Sequence, residues 1–221
     1  MTRTWRVAAL LTLFLVALAT FPFHASGQAA VPKAALPVLT TSAGQSADVN
    51  TLNAIMEQAD LKYDYCDVPT AAMLKSGVGL GGAKAKSGFH VESTTDLSKF
   101  KAGTPYRTVV FALGASLKGM GASGLTVETE VKRVTDLIQY CRQNKIFIVA
   151  VHAGGQSKRG APGSDNEKMI DAVAPFANYI IVAKDGNKDG RFTKIGQEKG
   201  IPVSQVDYAL GMVGLVKKLF E

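Results

Sequence analysis

The sequence predicts an α/β protein with a single doubly wound, mainly parallel sheet of five to six strands and helices on both faces, of the Rossmann-like or flavodoxin-like kind. Short apolar segments alternate with amphipathic helical segments along most of the chain, which is typical of parallel sheets. The segment TVVFAL at residues 108–113 carries no charge, as expected of a strand buried on both faces. Polar, glycine-rich loops follow several apolar segments, where open parallel sheets bind ligands.

Each element is predicted from its hydrophobic period or from its flanking residues. Strands are predicted at residues 36–41, 61–66, 108–113, 146–151 and 179–183, with a brief sixth at 201–203. Helices are predicted from residue 48, after Thr126, after a capping box at 164–167, over 192–199 and from about Gln205. We expect a loop at 114–125 and a Gly-rich insertion or loop at about 67–105.

The first 27 residues have the pattern of a signal peptide, in which Arg3 and Arg6 precede an apolar run and a small-residue cleavage site. The alternative is an uncleaved anchor helix, but the apolar run is short for a membrane span. We therefore expect a secreted or periplasmic protein with no stable membrane insertion after cleavage. Residues 28–34 would be a lead-in, and residues 35–221 would form a single domain.

The net charge and the cysteine count limit which partners and which disulfides the protein can have. The formal net charge is +7, but the basic residues form no runs, so we expect no nucleic-acid partner. Mild basicity suits a small anionic molecule. Cys66 and Cys141 are the only cysteines, and they form either one disulfide or two buried free thiols.

Polar side chains follow four of the predicted strands. The carboxyl ends of parallel strands lie at one edge of a sheet, so these side chains should share a rim. Hydroxyls, cations and backbone amides at helix N-termini suit an anion. The candidate ligand-binding residues are Ser42, Gln45, Ser46, Ser116, Lys118, His152, Lys158 and Arg159. We expect Lys118, His152 and Arg159 to line one pocket, with Asp165 as a rival partner that would make Arg159 structural.

The loop DGNKDG at 185–190 matches the first half of a calcium-binding EF-hand loop. Its candidate metal ligands are Asp185, Asn187 and Asp189. Gly196 stands where the bidentate Glu of that loop belongs. The pattern therefore favours a turn, in which Asp and Asn side chains bond to the nearby backbone, over a calcium site.

Other cofactor patterns are incomplete. Residues 119–124 and 77–82 both match G-x-G-x-x-G, but no acid follows the strand at 146–151 to hold a ribose, so we expect no NAD. The turn at 41–46 resembles the phosphate-binding turn of flavodoxins, yet it is short and favours a general anion site over a flavin. The sequence contains no G-x-S-x-G motif and few histidines, which argues against a serine triad or a zinc site.

Three segments, GASLKGMGASG, VHAGGQSKRG and KDGNKDGRF, resemble a family of exported bacterial Rossmann-like domains of unknown function. The resemblance is close over residues 108–207 and loose over 36–66. It implies export and a Rossmann-like fold, and it implies no activity. The long stretch 67–106 departs from the family pattern, where we expect a shorter link between the second and third strands.

The residues and motifs leave three candidate functions. The leading one is an exported domain that binds a small molecule, with an anionic ligand at the strand ends. The first alternative is an extracytoplasmic hydrolase of phosphate or ester bonds, with His152 as acid or base and Asp185 or Asp189 on a metal. The second is a structural or adaptor subunit of an exported assembly. The scarcity of catalytic groups favours binding over catalysis.

Overall fold

The computed structural model describes residues 30–221, so the predicted signal peptide lies outside the described residues. It contains a seven-stranded sheet. The strands are β1 (Val38–Ala43), β2 (Asp64–Cys66), β3 (Val91–Ser93), β4 (Thr108–Leu113), β5 (Phe147–His152), β6 (Tyr179–Ala183) and β7 (Val203–Val206). The α-helices are α1 (Asp48–Gln58), α2 (Ala71–Lys75), α3 (Leu117–Ala122), α4 (Val127–Gln143), α5 (Asp165–Val173), α6 (Arg191–Lys199) and α7 (Met212–Phe220).

The sheet has the order β3-β2-β1-β4-β5-β6-β7. All neighbouring strands pair in parallel except β2 and β3, which are antiparallel. The parallel strands follow the flavodoxin-like order, in which the direction of strand addition reverses between β1 and its neighbour β4. This reversal places a crevice outside the carboxyl ends of β1 and β4.

Two apolar layers cover the sheet, which is why β1, β4 and β6 are buried along their whole length. On one face α1 and α7 pack through residues such as Leu52 and Leu215. On the other face α4, α5 and α6 pack through residues such as Leu137, Ile170 and Phe192. Among residues 30–221, no helix has the length and apolar character that crossing a membrane requires.

The predicted fold class is confirmed, and so are the five principal strands, whose ends lie within three residues of the predicted ones. Two elements were assigned wrongly from sequence. Gln205 lies in β7, where it pairs with β6, and the last helix begins only at Met212. The segment predicted as a loop at 114–125 contains α3, whose first turn is capped by the Ser116 hydroxyl.

The expected capping box before α5 is also wrong. The helix does begin at Asp165, but Ser164 makes no capping hydrogen bond. Glu167 is 1% exposed, and its carboxylate instead accepts hydrogen bonds from Arg159 Nε at 2.7 Å and from the Gly160 amide at 3.1 Å. A buried guanidinium is a stronger partner for a carboxylate than a helix end is, so tertiary contact overrides the local motif.

The insertion at 67–105 is attached to the sheet through the buried carboxylate of Asp64 in β2. That carboxylate accepts hydrogen bonds from the Gly79 amide at 2.7 Å and from the Thr95 hydroxyl at 2.8 Å. It also accepts bonds from the hydroxyls of Ser93 and Tyr106. Because a buried carboxylate needs several donors, this one residue fixes the path of a segment that has little regular structure.

Cys66 and Cys141 are buried free thiols, which decides between the two alternatives that the sequence leaves open. Burial raises the pKa of both thiols to about 12. Both cysteines therefore act as apolar core residues.

Candidate functional site

A cavity of about 750 Å³ lies at the carboxyl ends of β1 and β4, where the strand order reverses. Open α/β sheets bind their ligands at this position. The polar residues of its lining come from the end of β1 and its loop, α1, β2, the insertion and α3. They are Ser42, Gln45, Ser46, Asn50, Tyr65, Asp67, His90, Glu92, Ser116, Lys118 and Ser123.

Two side chains of α4, which do not line the cavity, form hydrogen bonds to the loop after β1. Glu130 is fully buried, and its Oε1 accepts hydrogen bonds from the Gly44 amide at 2.8 Å and from Gln45 Nε2 at 3.3 Å. Arg133 Nη2 donates to Glu130 Oε1 and to the Ser42 carbonyl, both at 2.7 Å. This buried ion pair fixes the β1 loop in its cavity-forming shape, with Gln45 in the left-handed region at φ 55°.

Helix α3 forms the second wall. Gly119 contacts the Gln45 carbonyl so closely that a Cβ has no room there. This contact presses α3 against the β1 loop and places Lys118 in the cavity lining. The Lys118 side chain is exposed and forms no ion pair with any other residue of the described range 30–221.

The insertion forms the third wall. A tight turn joins Lys86 and Phe89, whose backbones exchange two hydrogen bonds of 2.9 Å. At its tip Gly88 has a φ of 71° and contacts the Ala122 carbonyl at the end of α3. The stretch that the sequence left unassigned therefore closes one side of the cavity.

We expect Gly88→Ala to destabilise the domain by about 2 kcal/mol or more, because the new Cβ would combine strain at positive φ with a clash. Gly82→Ala is the matched control, since Gly82 has a φ of 78° but open space around its Cβ position. Urea denaturation of the two variants separates the two effects. Equal losses would mean that the contact with Ala122 contributes nothing.

The charges of the cavity are mixed. Lys118 lies on α3, while Asp67 and Glu92 lie on the wall formed by β2 and β3. Asp48 occupies the first turn of α1, and its carboxylate accepts a 2.5 Å hydrogen bond from the Ser46 hydroxyl. Because this carboxylate already meets the positive end of the α1 dipole, that helix terminus is a poor anion site.

Five of the eight predicted ligand-binding residues line the cavity, and three do not. The five are Ser42, Gln45, Ser46, Ser116 and Lys118. The other three are His152 at the end of β5 and Lys158 and Arg159 in the loop after it, and they are absent from the lining of the cavity. We expected from the sequence that Lys118, His152 and Arg159 would line one pocket. The structure does not bring them together in this cavity.

His152 is fully buried, which removes it from contact with a ligand. Its Nε2 lies 3.2 Å from the Lys158 carbonyl, and its ring packs 5.1 Å from that of Phe192. Burial lowers the pKa of the imidazole, which is therefore held in its neutral form. These contacts describe a structural histidine and do not support the role of acid or base.

Arg159 is bound within the protein, although the partner differs from the expected Asp165. Its guanidinium lies 2.7 Å from Glu167 and 2.7 Å from Asp189, and it also donates to the Gly186 carbonyl. Hydrogen bonding to Arg159 lowers the pKa of Asp189 to about 2. The charge of Arg159 is thus balanced without a ligand.

The side chains of the acidic loop form hydrogen bonds both to nearby residues and to the loop after β5. Asn187 accepts from the Phe192 amide and donates to the Thr193 hydroxyl, each at 2.8 Å. Asp185 accepts from the Gln156 amide, and Asp189 faces Arg159. Asn187 and Asp189, which also accepts from the Arg191 amide, therefore bond to the nearby backbone as in a turn, whereas Asp185 binds a distant loop. Within residues 30–221, no cluster of three His, Cys, Asp or Glu side chains is arranged to hold a metal ion.

One pair of functional groups, His90 and Asp67, was not predicted from the sequence. His90 Nδ1 lies 3.1 Å from Asp67 Oδ2, and both residues line the cavity. The two residues are 23 positions apart, in a stretch without assigned structure, so no local pattern connects them.

Comparison with known proteins places the chain in a family. The family described as "Domain of unknown function (DUF6305)" matches residues 35–220. The chain belongs to this family. No curated protein matches the chain significantly. The matched range includes all the elements that form the cavity, from β1 to α3.

Proposed function

We propose that this DUF6305 domain binds a small polar molecule in the cavity between β1 and β4, with an anionic group of the ligand facing Lys118. The observation that carries the proposal is the position of an unpaired cation in a cavity at the strand-order reversal. Export, which the N-terminal pattern predicts, would place this binding activity outside the cytoplasm.

The opposite wall indicates what else the ligand carries. Asp67 and Glu92 are hydrogen-bond acceptors when ionised, so a ligand group near them should be a donor such as a hydroxyl or an ammonium. Burial raises the pKa of the Tyr65 phenol, which remains protonated and is available as a donor. A hydroxy acid or an amino acid has this combination of one anionic group and neighbouring donors.

The protein holds this cavity in place before any ligand arrives. The Glu130–Arg133 ion pair fixes the β1 loop, the Gly119 contact fixes α3, and Asp64 fixes the insertion. A preformed site loses less conformational entropy on binding, which favours affinity. The buried position of His152 removes the acid–base group on which the alternative hydrolase prediction depended.

Lys118→Gln should weaken ligand binding about ten- to a hundredfold, because hydrogen bonds to charged groups contribute about 1.5–3 kcal/mol. Native mass spectrometry of the freshly purified protein should detect a retained small molecule that the variant loses. Lys188→Gln, which removes an exposed lysine outside the cavity, is the matched control and should retain it.

Two results would contradict the proposal. One is equal retention by the Lys118 and Lys188 variants. The other is a wild-type protein that carries no small molecule and whose melting temperature does not respond to millimolar hydroxy acids or amino acids.

A further inference from the structure

The His90–Asp67 pair has the geometry of an acid–base site. Asp67 is 5% exposed, and its two carboxylate oxygens both contact His90: Oδ1 accepts from the backbone amide at 2.9 Å, and Oδ2 lies 3.1 Å from Nδ1. The Asp67 amide in turn donates to the His90 carbonyl at 3.2 Å. These three contacts fix both the backbone and the ring of His90.

The backbone of Asp67 is itself fixed to the floor of the cavity. Its carbonyl accepts a hydrogen bond of 2.7 Å from Gln45 Nε2, and Gln45 is held by the buried Glu130. His90 is therefore positioned through a chain of contacts that begins in the core. Its own side chain remains 72% exposed, in the lining of the cavity.

This arrangement selects one tautomer of the imidazole. A carboxylate can only accept hydrogen bonds, so Nδ1 carries the proton that faces Asp67. The neutral ring then has its lone pair on Nε2, which makes Nε2 a base toward a molecule in the cavity. In serine hydrolases, too, a carboxylate orients the imidazole and the imidazole acts as the base.

We propose that His90 is a catalytic acid–base residue, that Asp67 is its positioning residue, and that the domain hydrolyses small carboxylic esters carrying one negative charge. This inference rests on the proposed function, because the anionic group of the ester is held by Lys118. Asp67 and Glu92 both line the cavity, and Lys118 is the only Lys or Arg of the described chain in that lining. Such a charge balance disfavours a phosphate dianion and suits a single carboxylate.

Water is the nucleophile in this reaction. The hydroxyls of Ser46 and Ser116 are engaged with Asp48 and Gly119, and within residues 30–221 no serine hydrogen-bonds to the His90 ring. Nε2 takes a proton from water as the water oxygen bonds to the ester carbonyl carbon. The bond from that carbon to the alcohol oxygen then breaks, and the imidazolium returns its proton to the leaving oxygen. One ester and one water give one acid and one alcohol.

The test uses the mono-4-nitrophenyl ester of succinic acid, whose hydrolysis releases 4-nitrophenolate. The wild-type domain should show saturable hydrolysis, and His90→Asn should lower kcat by on the order of 10²- to 10⁴-fold with little change in KM. Lys118→Gln should raise KM for this ester by a larger factor than it raises KM for neutral 4-nitrophenyl acetate, which has no anionic group for Lys118 to hold. Lys188→Gln is the control for expression and purification.

Asp67→Asn distinguishes positioning from a structural role. Asn retains an acceptor for the His90 amide, but its NH₂ group faces Nδ1 and favours the tautomer with no lone pair on Nε2. Asp67→Asn should therefore lower kcat while KM and the melting temperature change little.

Each outcome decides one of the two proposals. Wild-type hydrolysis no faster than that of His90→Asn overturns the catalytic inference, and so does an Asp67→Asn variant with the kcat of wild type. If Lys118-dependent retention of a small molecule persists in that case, the binding function stands alone. If Lys118→Gln changes neither retention nor KM, the binding site has been misassigned.

Discussion

Arg159→Ala is expected to lower the free energy of unfolding by about 3–5 kcal/mol in buffer without any ligand. The Arg159 side chain is 6% exposed, and its removal would leave the buried carboxylate of Glu167 without the guanidinium that lies 2.7 Å from it. The Gly186 carbonyl would lose a donor as well. Urea denaturation followed by circular dichroism measures the loss directly.

Two variants make this experiment specific. Lys188→Ala removes an exposed cation near the same loop and should change stability by no more than about 0.5 kcal/mol. Arg159→Lys keeps the charge but cannot form the bidentate contacts, so it should fall between wild type and Arg159→Ala. An Arg159→Ala variant as stable as wild type would make Arg159 a ligand-binding candidate again.

Asp64→Ala should destabilise the domain by about 3 kcal/mol, because four donors lose their acceptor, among them the buried Tyr106 phenol, and a buried donor left unpaired costs about 1–3 kcal/mol. The donors are the Gly79 amide and the hydroxyls of Ser93, Thr95 and Tyr106. Burial raises the pKa of the Tyr106 phenol, and the hydrogen bond to Asp64 raises it further, so this phenol remains a donor.

The loss should be concentrated in the insertion at 67–105, which also forms a wall of the cavity. Limited proteolysis should therefore cut the Asp64→Ala variant within this segment before the central strands are attacked. Asp136→Ala, which removes a half-exposed carboxylate of α4, is the matched control. If both variants unfold at the same urea concentration and the insertion resists the protease equally in both, Asp64 does not anchor it.

Arg159 and Asp64 show where sequence patterns stop being informative. Arg159 lies in a segment with the polar pattern of a loop and Asp64 lies in a predicted strand, yet both charged side chains are buried. Burial of a charge depends on partners supplied by distant residues, such as Asp189 for Arg159 and Tyr106 for Asp64. A hydrophobic period contains no information about such partners.

The sequence by itself determined the fold class and the five principal strands, and it predicts one edge of the sheet as the binding region. The strands and the fold class can be predicted because the burial of apolar side chains leaves a periodic pattern in the sequence, which local reading detects. The sequence also assigned Ser42, Gln45, Ser46, Ser116 and Lys118 to that edge, and the structure places all five in one cavity.

Only the tertiary structure decided which polar groups face the cavity and which are paired with other groups of the protein. The strand order places β4 between β1 and β5, and the contact of Gly119 in α3 with the Gln45 carbonyl then places Lys118 on the side of the β1 loop. The strand order also joins His90 to Asp67 across the antiparallel edge of β2 and β3. These pairings are contacts between segments distant in sequence, and their energies depend on burial and geometry that exist only once the sheet has formed.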